Sequence, residues 1–236
     1  MKNELNEKIN YLEVFQICDS TFPIGTFNHS FGMENYLRRN VIKKSPEFKI
    51  WLENYYRSQF KYGEGLLVKL CYEALNDKKI ERLFKYDDEI TKSTLAVETR
   101  DGTKLIAHEM ITLIKKIYGN KVPYLNKYAK AIEDNKAYGN PAIVFSIFAH
   151  YKKIPLLDAF LMYGYSVAST LVLNAVRAIP LGQREGQVIL NDLIKLLKRL
   201  YKQVQKLDEA YLGANAPGLE IAQIKHETQE SRLFMS

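Results

Sequence analysis

A chain of 236 residues, 47% hydrophobic and 26% charged, has the composition of a folded globular protein, not of a fibrous or disordered one. Its only two cysteines, Cys18 and Cys71, exclude a disulfide scaffold, and each lies in an apolar helical pattern where a thiol packs as a small hydrophobe. The formal charge of +7 invites a nucleic-acid partner. The positions argue against one: Lys195, Lys198, Arg199, Lys202 and Lys206 recur opposite Leu193, Leu196, Leu197, Leu200, Val204 and Leu207, as on a solvated helix face.

The opening MKNELNEKIN lacks the apolar core of a secretory signal. Lys152, Lys153, Asp158, Asn174 and Arg177 break up the greasiest region before it reaches the roughly 18 apolar residues of a membrane span. A cytoplasmic protein with no membrane partner is expected.

Helical periodicity runs through nearly the whole chain. Ile9, Leu12, Phe15 and Cys18 step by threes along a first amphipathic helix ending near Ser20. Residues 21–29 form a loop punctuated by Pro23 and Gly25, after which Ser30 can cap a helix carrying Met33, Tyr36 and Leu37. Ser45-Pro46-Glu47 starts a helix through Trp51, Leu52, Tyr55, Tyr56 and Phe60, which Gly63 and Gly65 weaken or kink before Leu66, Leu67, Leu70, Cys71 and Ala74. Shorter and longer helices follow over residues 78–89 and 94–118, the second with Leu105, Ile106, Met110, Leu113, Ile114 and Ile117 inside and Gly119-Asn120 as its stop. Pro123, Asn140-Pro141 and Pro155 open three more, the last reaching Ile179, where Pro180 forbids continuation. Residues 186–212 form the final helix. No alternating strand pattern of useful length occurs. The expected fold is therefore an all-α single-domain bundle of about eight to ten helices over residues 1–236, ending in a flexible tail at 217–236.

Familiar catalytic signatures are missing. There is no phosphate-binding G-x-x-x-x-G-K-[ST], and Gly63-x-Gly65 and Gly182 to Gly186 lack the strand a phosphate cradle needs. His108-Glu109 begins like a zinc-protease motif, but Thr112 stands where the second histidine is required. The sequence contains no G-x-S-x-G elbow, and its four histidines are scattered. The expectation is a protein with no catalytic residue and no metal or cofactor bound by its own side chains.

Three stretches remain that folding alone does not demand. The first, Asp19 to Glu34, is an ordinary helix–loop–helix junction by one reading; by another, His29, Ser30 and Glu34 decorate an exposed recognition loop. The second runs from Arg177 to Gln187. Arg177 suits the negative end of a helix dipole and Pro180 with Gly182 makes a turn, but Gln183 and Gln187 are not explained by either. The third, PGLEIAQIKHETQESRLFMS, places His226, Glu227, Gln229, Ser231 and Arg232 among apolar residues at a terminus, where chains are normally mobile. Phe234 and the fork-shaped Arg232 are anchor-type residues suited to ordering on a partner.

These stretches resemble the urease accessory protein F (UreF) family. PIGTFNHSFGMENY resembles its P-x-G-x-F-x-x-S-x-G-x-E signature through Pro23, Gly25, Phe27, Ser30, Gly32 and Glu34. RAIPLGQREGQVIL is similar to R-x-x-P-L-G-Q-x-x-G-Q through Arg177, Pro180, Leu181, Gly182, Gln183, Gly186 and Gln187. The last twenty residues resemble the family's ending through Pro217, His226, Glu227, Gln229, Ser231, Arg232, Leu233, Phe234 and Ser236. A fourth segment, Glu98-Thr-Arg100, departs from the pattern at Thr103 and Ala107, as does Asn140 where many members have histidine before proline.

The resemblance implies a cytosolic all-α homodimer without activity of its own. It would bridge a UreD/UreH-type accessory protein and a nickel-carrying UreG-type GTPase on apo-urease, so that nickel and GTP are handled by the complex. Partner contacts are expected at His226, Glu227, Arg232 and Phe234 for the first partner, with Arg177, Gln183 and Gln187 nearby. Phe27, His29, Ser30 and Glu34 are assigned to the dimer centre or the GTPase side, and Arg100 is a further contact. Pro23, Gly25, Gly32, Pro180 and Gly182 are expected as turn formers. An autonomous all-α enzyme using His226 and Glu227, or a basic nucleic-acid-binding module, are the competing readings.

Overall fold

A computed structural model describes residues 2–214 and 216–235. Among them the regular structure is helical: α1 (Lys2–Cys18), α2 (Met33–Arg38), α3 (Ser45–Tyr55), α4 (Glu64–Asn76), α5 (Glu81–Ser93), α6 (Val97–Tyr118), α7 (Pro123–Glu133), α8 (Pro141–Tyr151), α9 (Leu156–Ala178), α10 (Gln183–Val204) and α11 (Pro217–His226). Prolines open α3, α7, α8 and α11 within their first turn, where a missing N–H costs no intrahelical bond. Asn140 caps α8, its Oδ1 accepting the Ala142 N–H at 2.9 Å.

The centre is the pair α4 and α8. Leu66, Leu67, Val68, Leu70 and Cys71 of α4 and Ile143, Val144, Phe145, Ile147 and Phe148 of α8 are all buried, as expected of helices that are apolar on every side. α9 and α10 pack against each other and cover α4. α9 is long and apolar enough to cross a membrane by composition alone, but here its apolar face meets α10, α4 and α8. Aromatic rings line the α3–α4 side: Phe60 meets Phe160 at 5.6 Å between centroids, and Phe160 meets Tyr201 at 5.4 Å. The basic residues Lys198, Arg199, Lys202 and Lys206 of α10 and its continuation face solvent, opposite buried Leu193, Leu196, Leu197, Leu200 and Val204.

Several boundaries differ from the sequence reading, each for a local reason. The chain does kink before Gly63, through a π-turn at Tyr56–Phe60, and α4 restarts at Glu64. Lys44, not Ser45, caps α3, its backbone N–H donating to Glu47 Oε2 at 3.1 Å. Ser30 does not cap α2; Gly32 does, at φ +90°, and α11 lies so close that a Cβ there would sit 3.0 Å from Gln223 Cγ and 3.1 Å from Leu219 Cδ1. α10 starts at Gln183 and ends at Val204, because Pro180 and Gly182 stand outside it and the apolar period fails after Leu207.

The larger correction concerns α1. Its Ile9, Leu12 and Phe15, expected inside, are 43%, 67% and 55% exposed, while Val14 and Ile17 are buried. α1 is apolar on two sides, and periodicity alone does not say which side the rest of the chain covers. On the inner side Tyr11 donates to Asp158, Lys152 Nζ pairs with Glu13 at 2.6 Å, and Ser166 donates to the Cys18 carbonyl at 2.8 Å. Leu105 and Ile117 of α6 are likewise exposed, with Ile106, Met110 and Ile114 of the same helix buried.

Candidate partner-binding site

The stretch expected as a flexible tail takes the form of a docked element. Leu219, Ala222 and Gln223 of α11 are buried, and the helix packs on α2 and α6. Its carboxylates tie it to the start of α6: Glu220 Oε2 accepts the Leu95 N–H at 3.0 Å and Glu227 Oε1 the Val97 N–H at 2.6 Å. These N–H groups lie at a helix N-terminus, where the dipole favours a negative charge and donors lack intrahelical partners. Carboxylates placed far from their backbone donors in sequence thus compensate for weak helical periodicity.

Beyond α11 the chain closes a compact charged cluster. His226 is fully buried, with Nδ1 2.8 Å from Glu98 Oε2 and Nε2 3.0 Å from Glu34 Oε2. Glu34 also accepts the backbone N–H groups of Leu233 at 2.6 Å and Phe234 at 3.0 Å. Arg232 pairs with Glu98 Oε1 and donates to the carbonyls of Glu227 and Gln229 at 2.7 and 2.9 Å. Burial pushes Glu98 upward, but the hydrogen bonds from His226 and Arg232 outweigh it and hold this carboxyl below its ordinary pKa.

The loop before α2 forms the other wall. Asn28 O accepts the Met235 N–H at 2.7 Å, and Arg177 at the end of α9 donates to the Phe27 carbonyl at 3.1 Å while its guanidinium lies 5.5 Å from the Phe234 ring. Phe234 itself is buried, whereas the Phe27 ring is half exposed. His29 is buried against Gly102 of α6; a Cβ at that glycine would come within 2.6 Å of His29 Cε1. Burial, and then the charge on nearby His226, lower the His29 pKa. Asn174 holds the His29 carbonyl at 2.9 Å, and Ser30 Oγ accepts the Glu34 N–H at 3.4 Å.

The structure therefore unites residues that the sequence reading kept apart. Phe27, His29, Ser30 and Glu34, assigned to a separate face, adjoin His226, Glu227, Arg232, Phe234 and Arg177 in one cluster. Arg100 turns inward, donating to the Thr94 and Leu95 carbonyls at 2.7 and 2.8 Å, so its charge braces the approach to α6. The departures Thr103 and Ala107 lie on the same helix: Thr103 donates to the Thr99 carbonyl at 2.8 Å and Ala107 is buried. Gln183 and Gln187 are exposed on the first turns of α10. Gly182 beside them has an ordinary φ of −68°, and a Cβ there would meet nothing within 4 Å, so this chain does not itself require a glycine at that turn. Pro23 is exposed in its loop, and Gly25 adopts φ +82°. Ser236 lies outside the described residues.

Sequence reasoning missed Glu98 and Asn174 as site members. Glu98 opens the Glu98-Thr-Arg100 segment, and Asn174 is a lone amide one turn before Arg177 in an otherwise apolar helix; each was a readable signal. Cys18 packs by Ser166, and burial pushes its thiol up to about 12. Among the described residues no group of three or more His, Cys, Asp or Glu side chains is arranged to hold a metal ion.

A family model described as UreF matches residues 42–194 of this chain. Proteins named urease accessory protein UreF from Streptococcus salivarius (strain 57.I) and Streptococcus thermophilus (strain LMD-9) are each 52% identical to it over 227 residues, covering 96% of this chain and 95% of theirs. The match to these relatives extends well beyond residues 42–194, over 96% of this chain. The chain belongs to the UreF family of urease accessory proteins.

Proposed function

We propose that this protein is a cytoplasmic, non-catalytic scaffold of urease maturation. It bridges a UreD/UreH-type accessory protein and a nickel-carrying UreG-type GTPase on apo-urease, and the GTPase's hydrolysis drives insertion of nickel, the cargo. The observation that carries this reading is the convergence of the loop at Phe27–Glu34, Arg177 and the C-terminal segment on one face. Its rim exposes Ile221, Ile224, Leu233, Met235, Leu95 and Val97, apolar surface bordering a buried polar cluster. Such a border is typical of a protein–protein contact. The exposed corner at Gly182, Gln183 and Gln187, which has no packing task inside the chain, suits a second contact.

The same reading includes a homodimer. Leu5, Ile9, Leu12 and Phe15 form an exposed apolar stripe on α1, and a groove of about 970 Å³ begins at Phe15 and runs past Leu113, Ile117, Leu161 and Ile194. A ridge beside an apolar groove on one chain is self-complementary under two-fold symmetry.

The decisive experiment is co-purification with the UreD/UreH-type protein, the GTPase and apo-urease, comparing wild type with Arg232→Ala. Loss of a central anchor weakens binding by about 2 kcal/mol or more. Retention of the UreD/UreH-type partner by the variant at wild-type affinity removes Arg232 from the interface; failure of wild type to capture any of the three refutes the scaffold.

A further inference from the structure

α11 shares a small cavity with α4, α5, α6 and the start of α8: about 50 Å³, bordered by Gln223, Glu64, Thr91, Thr103 and Asn140. The π-turn at Tyr56–Phe60 and Gly63, where a Cβ would sit 2.6 Å from the Gln59 carbonyl oxygen, bring Gln59 and Glu64 to this same space. Three oxygens there, Gln59 Oε1, Glu64 Oε2 and Gln223 Oε1, are closed to solvent and have no hydrogen-bond partner among the described residues. Gln223 is only 3% exposed, and its amide nitrogen is committed to the Phe31 carbonyl at 3.3 Å, which leaves Oε1 for the cavity. Buried acceptors in this number call for a donor or an ion.

The neighbouring hydroxyls do not supply the missing donors. Thr91 donates to Asp87 at 3.4 Å, Thr94 to the Ile90 carbonyl at 2.9 Å and Thr103 to the Thr99 carbonyl at 2.8 Å, so lone pairs and not protons are left for the cavity. Arg100, which also borders it, donates to the Thr94 and Leu95 carbonyls, and its charge acts on Glu220. The lining is therefore rich in acceptors, and one of them is a carboxylate. Water suits such a wall poorly, because each molecule adds lone pairs of its own to those already present. A hard cation needs only acceptors, and amide and hydroxyl oxygens replace its hydration shell as carbonyl oxygens do. One carboxylate balances one positive charge, whereas a divalent ion would leave a net charge buried. No histidine or cysteine lines the cavity, so the ligand set is not one that favours nickel or zinc.

We propose that this cavity is a binding site for a monovalent alkali cation, held by Glu64, Gln59 and Gln223 with the threonine oxygens around it. Gln223 belongs to α11, while Gln59 and Glu64 belong to the π-turn and α4, so the bound ion joins the C-terminal helix to the central frame. The ion also completes the electrostatics of Glu64. Burial raises this carboxyl to about 7, eased only by the hydrogen bond from its own backbone N–H, and a cation beside it brings the value down again. The site belongs to the isolated chain and does not depend on which partner the neighbouring face serves.

The test uses the isolated full-length protein in choline chloride, with choline replaced stepwise by potassium or by sodium at constant ionic strength. NMR of the Gln59 and Gln223 side-chain amides reads occupancy, and the urea midpoint reads stability. At about pH 8 one or both ions are expected to shift these two amides saturably and to raise the midpoint, the lower half-saturation naming the preferred ion. At about pH 6 only about a tenth of a carboxyl titrating near 7 is ionised, so half-saturation should rise about tenfold. Glu64→Gln, which keeps the shape and removes the charge, should lose the response. Gln223→Met, which removes one neutral ligand, should weaken it, as read at the Gln59 amide. Identical behaviour in choline, potassium and sodium overturns the proposal and leaves the cavity to water. A Glu64→Gln protein with the wild-type response also overturns it, and so does tighter saturation by magnesium. Loss of partner binding in co-purification has no bearing on these readouts, so failure of the scaffold reading and failure of the ion site are told apart.

Discussion

The α4–α8 pair and the C-terminal clasp are both buried, but they are held by different physics. In the first, apolar side chains such as Leu66, Phe145 and Phe148 meet on all sides, and the stabilisation grows with area and is indifferent to protons. In the second, a few directed contacts from Glu34, Glu98, His226 and Arg232 fix a short segment whose apolar anchor is Phe234. Directed contacts of this kind fail together when one member is lost, because each leaves another charge buried and unpaired. The core is therefore the stable frame, and the clasp is a unit able to open on it.

The largest effect that sharpens this contrast is Phe160→Ala. This fully buried ring stands between Phe60 and Tyr201, and its removal is expected to cost about 3–5 kcal/mol of global stability. Urea denaturation would show a lower midpoint with an unchanged slope. Glu34→Ala comes next. Removing one partner of a buried charge pair costs about 3–5 kcal/mol where the other stays in place. Here the segment undocks instead, so the loss is limited to the free energy of docking. Hydrogen exchange should show deprotection at Leu233, Phe234 and Met235 with little change in α4 and α8. A midpoint lowered as far as in Phe160→Ala would make the clasp part of the core and end the distinction.

The same contrast explains what could be read from the sequence. Helices α4, α6, α8, α9 and α10 are legible because burial imposes a period and proline or glycine marks the ends. Pro141, Pro155 and Gly119 punctuate the chain where expected. The clasp residues stood out as unexplained polar and aromatic side chains, but their convergence did not. Glu34 and Phe234 are 200 positions apart, and no local pattern encodes a hydrogen bond over that distance. The helical state of residues 217–226 is illegible for a related reason: Glu220 and the following Glu227 accept backbone N–H groups from Leu95 and Val97, far away in sequence, and not from their own helix. On α1 the helical period is legible but the buried side is not, since Val14 and Ile17 face inward while the equally apolar Ile9, Leu12 and Phe15 face out.

A smaller effect separates the two regions by pH. Glu64 at the start of α4 has its pKa raised by burial to about 7, against an ordinary 4.5. The folded state therefore binds more protons than the unfolded state between these values, and global stability falls as pH rises through about 7. Glu64→Gln should flatten this slope and be the more stable protein above it, as read by urea midpoints across pH. The clasp reports on different amides, so a pH slope that persists unchanged in Glu64→Gln would assign the dependence to some other group.

The smallest change in folding free energy is expected at the outer face of α1, and its value lies in that smallness. Leu12 is 67% exposed, so Leu12→Glu removes almost no buried area within the chain and should shift stability by no more than about 0.5 kcal/mol. Across the proposed two-fold interface the same substitution would set a carboxylate in an apolar contact, a cost the isolated chain never meets. Sedimentation at matched concentrations should then show wild-type dimers and Leu12→Glu monomers with equal urea midpoints below the dimer's dissociation constant. A Leu12→Glu protein that still dimerises moves the interface off α1. One that loses stability as a monomer shows instead that this ridge, like α4 and α8, is packed against the chain's own core.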